Sequence, residues 1–167
     1  MEEKKYELVK NDCITIKYAF VTDYLYRIKA LKDFGDVKAG DIGGYIEKED
    51  NLSHEGNCWV YNDAIIRGSA KLFDNAKVYG NAKVSGWVKV SDNAEVFGNA
   101  EVYGDAKISG CAKVYDNAKV SDESTVSDNA KVHGNAKVFG HSTINKTREV
   151  FGYNIVYHNT EYTPVSI

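Results

Sequence analysis

The sequence predicts an all-β solenoid, and three observations lead to that fold class. An aliphatic residue recurs at every sixth position from Val60 to Val156 without a slip. A small residue, most often alanine, stands two positions earlier, so the two side chains of each pair point to the same side of a short strand. Gly, Asn and Asp fall between the pairs, and these residues reach left-handed backbone angles at low cost. Each unit is therefore a very short strand followed by a sharp corner.

A unit of this length cannot bury its own apolar face, so successive units must stack on one another. A helix is excluded because helical apolar faces recur at spacings of three and four, and because Gly, Asn and Asp at every corner would interrupt it. If three units complete one coil, each residue lies above the residue of the previous coil at a distance of about 4.8 Å. The interior of the coil then contains only aliphatic side chains and alanine.

This repeat resembles that of the hexapeptide-repeat family, and the resemblance covers roughly the last two thirds of the chain. The resemblance implies a left-handed parallel β-helix with a triangular cross-section. Residues 33–46, 51–53 and 56–61 are similar to the first segment of YdcK-like β-helix proteins, a set found in bacteria and their phages and often labelled transferases. Gly43-Gly44 in this segment predicts a tight approach of two backbones.

We predict three parts along the chain. Residues 1–45 show alternation typical of two strands joined through Ala19 to Tyr24, and such a small hairpin would cap the open end of the solenoid. Residues 46–145 form the β-helix. Arg148 and Asn154 then replace the small inward residues, so residues 146–167, which include Tyr162 and Pro164, are expected to form an irregular closing segment.

Charge and composition favour some locations and partners over others. The formal net charge of -3 gives no reason to expect general binding to nucleic acid or to an acidic membrane. The first residues carry no apolar export signal and no apolar run approaches the length of a membrane span, so we expect a cytoplasmic protein. The three cysteines show no metal-ligand spacing, and we expect them to be reduced thiols. No cofactor is expected.

One outward column of the predicted helix is aromatic. We call this column the aromatic face, and its members are Tyr61, Tyr79, Phe97, Tyr115, His133 and Phe151. Stacked rings at strand spacing would stabilise each other, and a ladder without further function is one interpretation. Contiguous exposed aromatic area commonly marks association, and hexapeptide-repeat proteins generally form trimers. We therefore predict a homo-oligomer, with a trimer favoured.

A groove between such subunits would offer rings for stacking and cations for phosphate. The candidate ligand-binding residues are Tyr79, Tyr115, His133, Lys77, Lys113 and Lys131. We expect a small anionic, nucleotide-like ligand in this groove, and sequestration of such a signal would suit a phage-borne protein. A purely structural oligomeric scaffold is the alternative. A separate basic stripe of Lys71, Lys89 and Lys107 is a weaker candidate for anion binding.

An enzyme is the competing class. Hexapeptide-type acyltransferases use acyl-coenzyme A and a histidine general base, and the candidate bases here are His133 or His141. No insertion interrupts the repeats to enclose a substrate, which favours a non-catalytic protein. One corner departs from the usual asparagine and stacks Asp105, Glu123 and His141. No metal is expected, although these three residues would be the candidate ligands.

Overall fold

The computed structural model describes residues 3–158 of the 167-residue chain. It shows short parallel strands arranged as a solenoid, preceded by an antiparallel hairpin. The predicted all-β fold class with an N-terminal hairpin is therefore confirmed. Within the described residues, no helix has the length and apolar character that a membrane span requires.

The hairpin consists of β1 (Tyr6–Tyr18) and β2 (Val21–Ala30), and β3 (Ile42–Ile46) follows it. β2 pairs antiparallel with both neighbours, whereas β3 pairs in parallel with the strand that begins at Ile65. The predicted loop from Ala19 to Tyr24 is too long, because Tyr18 pairs with Val21. A two-residue turn is enough to join antiparallel strands. β3 is thus the element through which the hairpin joins the solenoid.

A short 3-10 helix, Glu49–Asn51, precedes the repeating strands. These are β4 (Trp59–Val60), β5 (Ile65–Ile66), β6 (Lys71–Leu72), β7 (Lys77–Val78), β8 (Lys83–Val84), β9 (Lys89–Val90), β10 (Glu95–Val96), β11 (Glu101–Val102), β12 (Lys107–Ile108), β13 (Lys113–Val114), β14 (Lys119–Val120), β15 (Thr125–Val126), β16 (Lys131–Val132), β17 (Lys137–Phe139), β18 (Thr143–Ile144), β19 (Glu149–Val150) and β20 (Ile155–Tyr157).

The repeating strands form three parallel sheets, one on each side of the coil. The aromatic sheet contains β4, β7, β10, β13, β16 and β19, and the lysine sheet contains β6, β9, β12, β15 and β18. The hairpin sheet contains β5, β8, β11, β14, β17 and β20 and continues through β3 into the hairpin. Val96 pairs with Val114 and Val102 with Val120, so equivalent residues of successive coils are in register as predicted.

The interior is a single column of aliphatic and small side chains. Ala100, Val102, Ala106 and Ile108 are fully buried, in agreement with the inward positions of the repeat. The close approach predicted at the start of the helix is also present. A Cβ atom on Gly43 would lie 2.6 Å from the carbonyl oxygen of Val60, and one on Gly44 would lie 2.6 Å from that of Ala64.

Left-handed residues and amide ladders form the corners. Asp116 has a φ of 58°, and its carboxylate accepts a hydrogen bond from the backbone N–H of Gly134 at 3.1 Å. The side chain of Asn81 donates to Asn99 at 3.3 Å, and Asn99 donates to Asn117 at the same distance. Each amide therefore satisfies the next, and these asparagines have a structural role.

The coils continue beyond Ile144, where we expected the regular helix to end. β19 pairs in register with β16, and β20 pairs with β17. The expectation failed because Arg148 and Asn154 are only half-buried at the end of the ladder, so neither places an unpaired polar group in an apolar interior. The Asn154 amide donates to the carbonyl oxygen of Phe151 at 2.8 Å. The predicted positions of Tyr162 and Pro164 lie outside the described residues.

Candidate functional site

The aromatic face forms a continuous stack of rings. Each of its residues directly follows a strand of the aromatic sheet, so the strand pairing sets the distance between neighbouring rings. Ring centroids are 4.6 Å apart for Tyr79 and Phe97, 4.9 Å for Phe97 and Tyr115, and 4.6 Å for Tyr115 and His133. The interplanar angles in this run are 2° to 3°. The predicted aromatic column is therefore a face-to-face ladder.

The two ends of the ladder are less regular. Tyr61 meets Tyr79 edge-on at 6.5 Å, and Phe151 lies 5.9 Å from His133. Phe151 is 44% exposed, whereas the other members are half-buried. Within the run, each ring face is covered by its neighbour and only ring edges point outward. A surface of this kind offers a flat aromatic strip and leaves no gap into which a further ring could insert.

Carboxylates lie beside the ladder and hold its polar groups. The hydroxyl of Tyr79 donates to Glu95 at 2.6 Å, and the ammonium of Lys113 lies 3.0 Å from the same carboxylate. Burial alone would raise the pKa of Glu95, but the Tyr79 hydroxyl and Lys113 outweigh it and lower that pKa. Burial, with Glu95 as the second cause, raises the pKa of Tyr79. Tyr79 therefore stays protonated and fixes the position of the carboxylate.

A loop of the N-terminal part covers the first coils of this face. Asp36 accepts a hydrogen bond from the Tyr61 hydroxyl at 2.8 Å and pairs with Lys77 at 3.0 Å. The Tyr61 hydroxyl, more than Lys77, lowers the pKa of Asp36. A cavity of about 680 Å³ lies between this loop and the ladder. Its lining includes Asp36, Tyr61, Lys77, Tyr79 and Glu95.

The predicted ligand-binding residues all lie on this face, but their environment differs from the expected cationic groove. Lys77 and Lys113 are paired with Asp36 and Glu95. Nε2 of His133 lies 2.7 Å from Glu149, and its Nδ1 lies 3.8 Å from Asp116. Lys131 is exposed. Tyr79 and Tyr115 do not frame a slot, because Phe97 is stacked between them.

At the corner of the candidate metal ligands, two of the three side chains are in contact. Nδ1 of His141 lies 3.2 Å from the carboxylate of Glu123, and both side chains are largely exposed. Within residues 3–158, no group of three His, Cys, Asp or Glu side chains is placed to hold a metal ion. Asp105 therefore does not join these two residues as a third ligand. The ring of His141 instead stacks on His158 at 5.9 Å.

Sequence reasoning missed the two carboxylates that organise the face. Glu95 could have been noticed in the sequence, since it stands where β7, β13 and β16 have a lysine. Asp36 could not, because it lies in an irregular segment and reaches Lys77 across 41 residues of chain. Its role depends on how the loop folds over the solenoid.

The fold and the six-residue repeat define a β-solenoid protein. No family model matches the chain. Among curated proteins, the chain is similar to the "uncharacterized acetyltransferase YdcK" of Escherichia coli (strain K12), with 46% identity over 54 residues. The match covers 32% of this chain and 17% of the length of that relative. Together with the solenoid, it confirms the predicted resemblance to YdcK-like proteins.

Proposed function

We propose that this protein is a non-catalytic β-solenoid scaffold and binding protein whose aromatic face joins copies of the same chain, with three copies favoured. The observation that carries the proposal is the unbroken ladder from Tyr79 to His133, whose stacked rings form one continuous aromatic strip along the coil. Flat apolar strips with a polar rim are typical of protein interfaces. Here the rim consists of Glu95, Lys113 and Glu149.

The regularity of the coil supports a binding role over catalysis. From β4 to β18 the described strands follow one another without an inserted loop. Enzymes commonly need such a loop to enclose the substrate and exclude water from the reacting atoms. A rigid ladder without a flap is instead suited to presenting a surface.

The finer form of the proposal adds a ligand. A small anionic, nucleotide-like molecule would occupy the groove beside the aromatic face once a neighbouring copy closes it. The cavity of about 680 Å³ next to Tyr61 and Tyr79 supports this form. Because Asp36 and Glu95 neutralise Lys77 and Lys113, Lys131 would supply most of the positive charge. This form of the proposal would suit a phage-borne protein that sequesters such a signal in the cytoplasm.

Two measurements test the proposal. The molar mass in solution should be a multiple of the 18.6 kDa chain. Tyr115→Lys should reduce it to that of one chain, whereas Tyr103→Lys on the hairpin sheet should leave it unchanged. If the unaltered protein has the mass of one chain, the proposed interface on the aromatic face is contradicted. Thermal unfolding over a panel of nucleotides should show stabilisation by the bound member, and flat curves would leave a purely structural scaffold.

An acyltransferase is the second candidate function. The name of the YdcK relative favours it, as does the contact of His133 with Glu149, since a carboxylate can orient a histidine general base. Acetyl-coenzyme A should then bind, and His133→Ala should abolish acetyl transfer to a panel of amines and alcohols. His141→Ala is the matched control, because that histidine also contacts a glutamate but lies on an exposed corner. Full turnover by His133→Ala would place the chemistry elsewhere.

A further inference from the structure

The lysine sheet has a charge pattern that differs from the other two sheets. Lys71, Lys89 and Lys107 stand in register on β6, β9 and β12. On the aromatic sheet, Glu95 separates Lys77 from Lys113, and on the hairpin sheet Glu101 separates Lys83 from Lys119. Within residues 3–158, no carboxylate forms an ion pair with any of the three lysines of the lysine sheet.

The nearby aspartates bond to backbone N–H groups and form no ion pair with these lysines within the described residues. The carboxylate of Asp74 faces the backbone N–H of Asp92 at 3.3 Å, and the carboxylate of Asp92 accepts a hydrogen bond from the N–H of Gly110 at 2.9 Å. Like charges on neighbouring strands, about 4.8 Å apart, repel each other. An anion placed between Lys71 and Lys89 would relieve that repulsion.

A cavity lies at the end of this sheet, and we call it the Trp87 cavity. Its volume is about 590 Å³, and its lining includes Lys48, Asp50, Lys71, Phe73, Trp87 and Lys89. Trp87 is 68% exposed, and no other ring stacks on its indole within the part of the chain that the structure describes. The corner position directly below Trp87 is the small Ser69, which leaves open the space that a larger side chain would fill.

The wall opposite Trp87 is fixed in place. Asn51 is fully buried at the end of the 3-10 helix, and its amide donates to the carbonyl oxygens of Ala70 at 2.8 Å and Gly68 at 3.1 Å. Its side-chain oxygen accepts a hydrogen bond from the backbone N–H of Lys48 at 2.9 Å. These bonds tie the segment that carries Lys48 to the corner below Trp87. The cavity is therefore preorganised, which lowers the entropic cost of binding.

We propose that the Trp87 cavity binds a small molecule that carries both a flat ring and a phosphate, as nucleoside monophosphates do. The ring packs on the exposed indole of Trp87, because aromatic side chains stack on bases of any sequence. The phosphate lies between the ammonium groups of Lys71 and Lys89, within reach of Lys48. The three lysines outweigh the single carboxylate of Asp50. This site is on a different face from the proposed subunit interface and does not depend on it.

Adenosine 5′-monophosphate is the probe for the test. Trp87 is exposed whereas Trp59, the other tryptophan, is 1% exposed, so saturable quenching of fluorescence would report on Trp87. By calorimetry, Trp87→Ala should weaken binding at least about fivefold. The double variant Lys71→Ala/Lys89→Ala should weaken it at least about tenfold. All of these side chains are exposed, so the variants should keep the fold, which circular dichroism would verify.

Two matched double variants locate the site. Lys83→Ala/Lys137→Ala removes the same charge from the hairpin sheet and should leave the affinity within about twofold, the effect of a distant surface charge at moderate salt. Lys113→Ala/Lys131→Ala removes the same charge from the groove proposed beside the aromatic face, so it reports on that groove and not on the Trp87 cavity. Loss of binding only in this last variant would overturn the proposal and place the ligand at the aromatic face. The absence of saturable binding, or equal affinity for inorganic phosphate, would overturn it as well.

Discussion

At the scale of single residues, the most unusual group is a buried lysine at the start of the solenoid. Lys5 is 1% exposed, and its ammonium donates to the carbonyl oxygen of Cys58 at 2.9 Å. It also lies 3.3 Å from the Cys58 sulfur and 3.3 Å from the carbonyl oxygen of Glu55. Burial lowers the pKa of Lys5 and raises that of the Cys58 thiol. Lys5 thus satisfies carbonyl groups that the first coil would otherwise leave without donors.

Replacement of this lysine tests that role. Lys5→Met keeps most of the side-chain volume but removes the donor, so buried carbonyl oxygens lose their partner. We expect the free energy of unfolding to fall by about 1 to 3 kcal/mol. Urea denaturation measures the change, with Lys38→Met as the control because Lys38 is exposed. A loss no larger than that of the control would show that Lys5 does not stabilise the first coil.

The interior of the coil makes a second prediction at this scale. Ala100 is fully buried between neighbouring coils, so Ala100→Leu adds three carbon atoms to a packed column. Overpacking of this kind typically lowers the free energy of unfolding by about 1 to 3 kcal/mol. Lys83→Leu at an exposed strand position should change it by less than about 0.5 kcal/mol. An Ala100→Leu variant as stable as the unaltered protein would contradict the inward assignment of the alanine series.

At the scale of elements, the loop between β2 and β3 contacts the aromatic sheet through the ring of Phe34, which packs on Trp59, and through the carboxylate of Asp36. Asp36 bonds both Tyr61 and Lys77, which lie on successive coils. Because the folded pKa of Asp36 lies below its ordinary value of 3.8, this carboxylate stabilises the fold above that value. The contribution is lost as the pH falls through the folded pKa. Solvent screening keeps it small, since the Asp36 side chain is 59% exposed.

A comparison of unfolding free energies with and without Asp36 measures this contribution. The difference between the unaltered protein and Asp36→Asn should be constant above about pH 5 and should shrink as the pH falls towards 3. In a Tyr61→Phe background the change with pH should be smaller, because the hydroxyl is the largest cause of the lowered pKa. A difference that does not vary between pH 7 and pH 3 would contradict this stabilising role of the Asp36 carboxylate.

The elements that could be predicted from the sequence are those that the local repeat determines. The sixfold spacing predicted the inward pairs of small and aliphatic residues in β4 to β18. It also predicted the stacking of the aromatic face, because both depend only on residues one coil apart. Lys5, Asp36 and Asn51 could not be assigned in this way, since their partners lie far along the chain. The predicted end of the regular β-helix near Ile144 was wrong because a half-exposed inward position tolerates Arg148. The pairing of lysines with glutamates could not be predicted either, because it depends on where the side chains lie.

At the scale of the whole molecule, the three sheets differ in what they offer to a partner. The aromatic sheet has a stacked aromatic strip with paired charges beside it. The lysine sheet has consecutive unpaired cations within the described residues, next to an exposed indole. The first pattern is typical of an interface between proteins and the second of an anion site. We therefore propose self-association through the aromatic sheet, and a small-anion site on the lysine sheet that is separate from the groove beside that interface.

Cross-linking from each face tests the self-association most directly. In a Cys13→Ser/Cys111→Ser background, which removes the two exposed thiols, one cysteine is placed at Lys131, Lys137 or Lys107, one exposed position on each sheet. A short bis-maleimide is added at micromolar protein concentration, and covalent oligomers are counted on a denaturing gel. We expect Lys131→Cys on the aromatic sheet to give efficient cross-linking and the other two variants to remain single chains. Equal yields from all three, or cross-links only through Lys137→Cys or Lys107→Cys, would contradict an interface on the aromatic face.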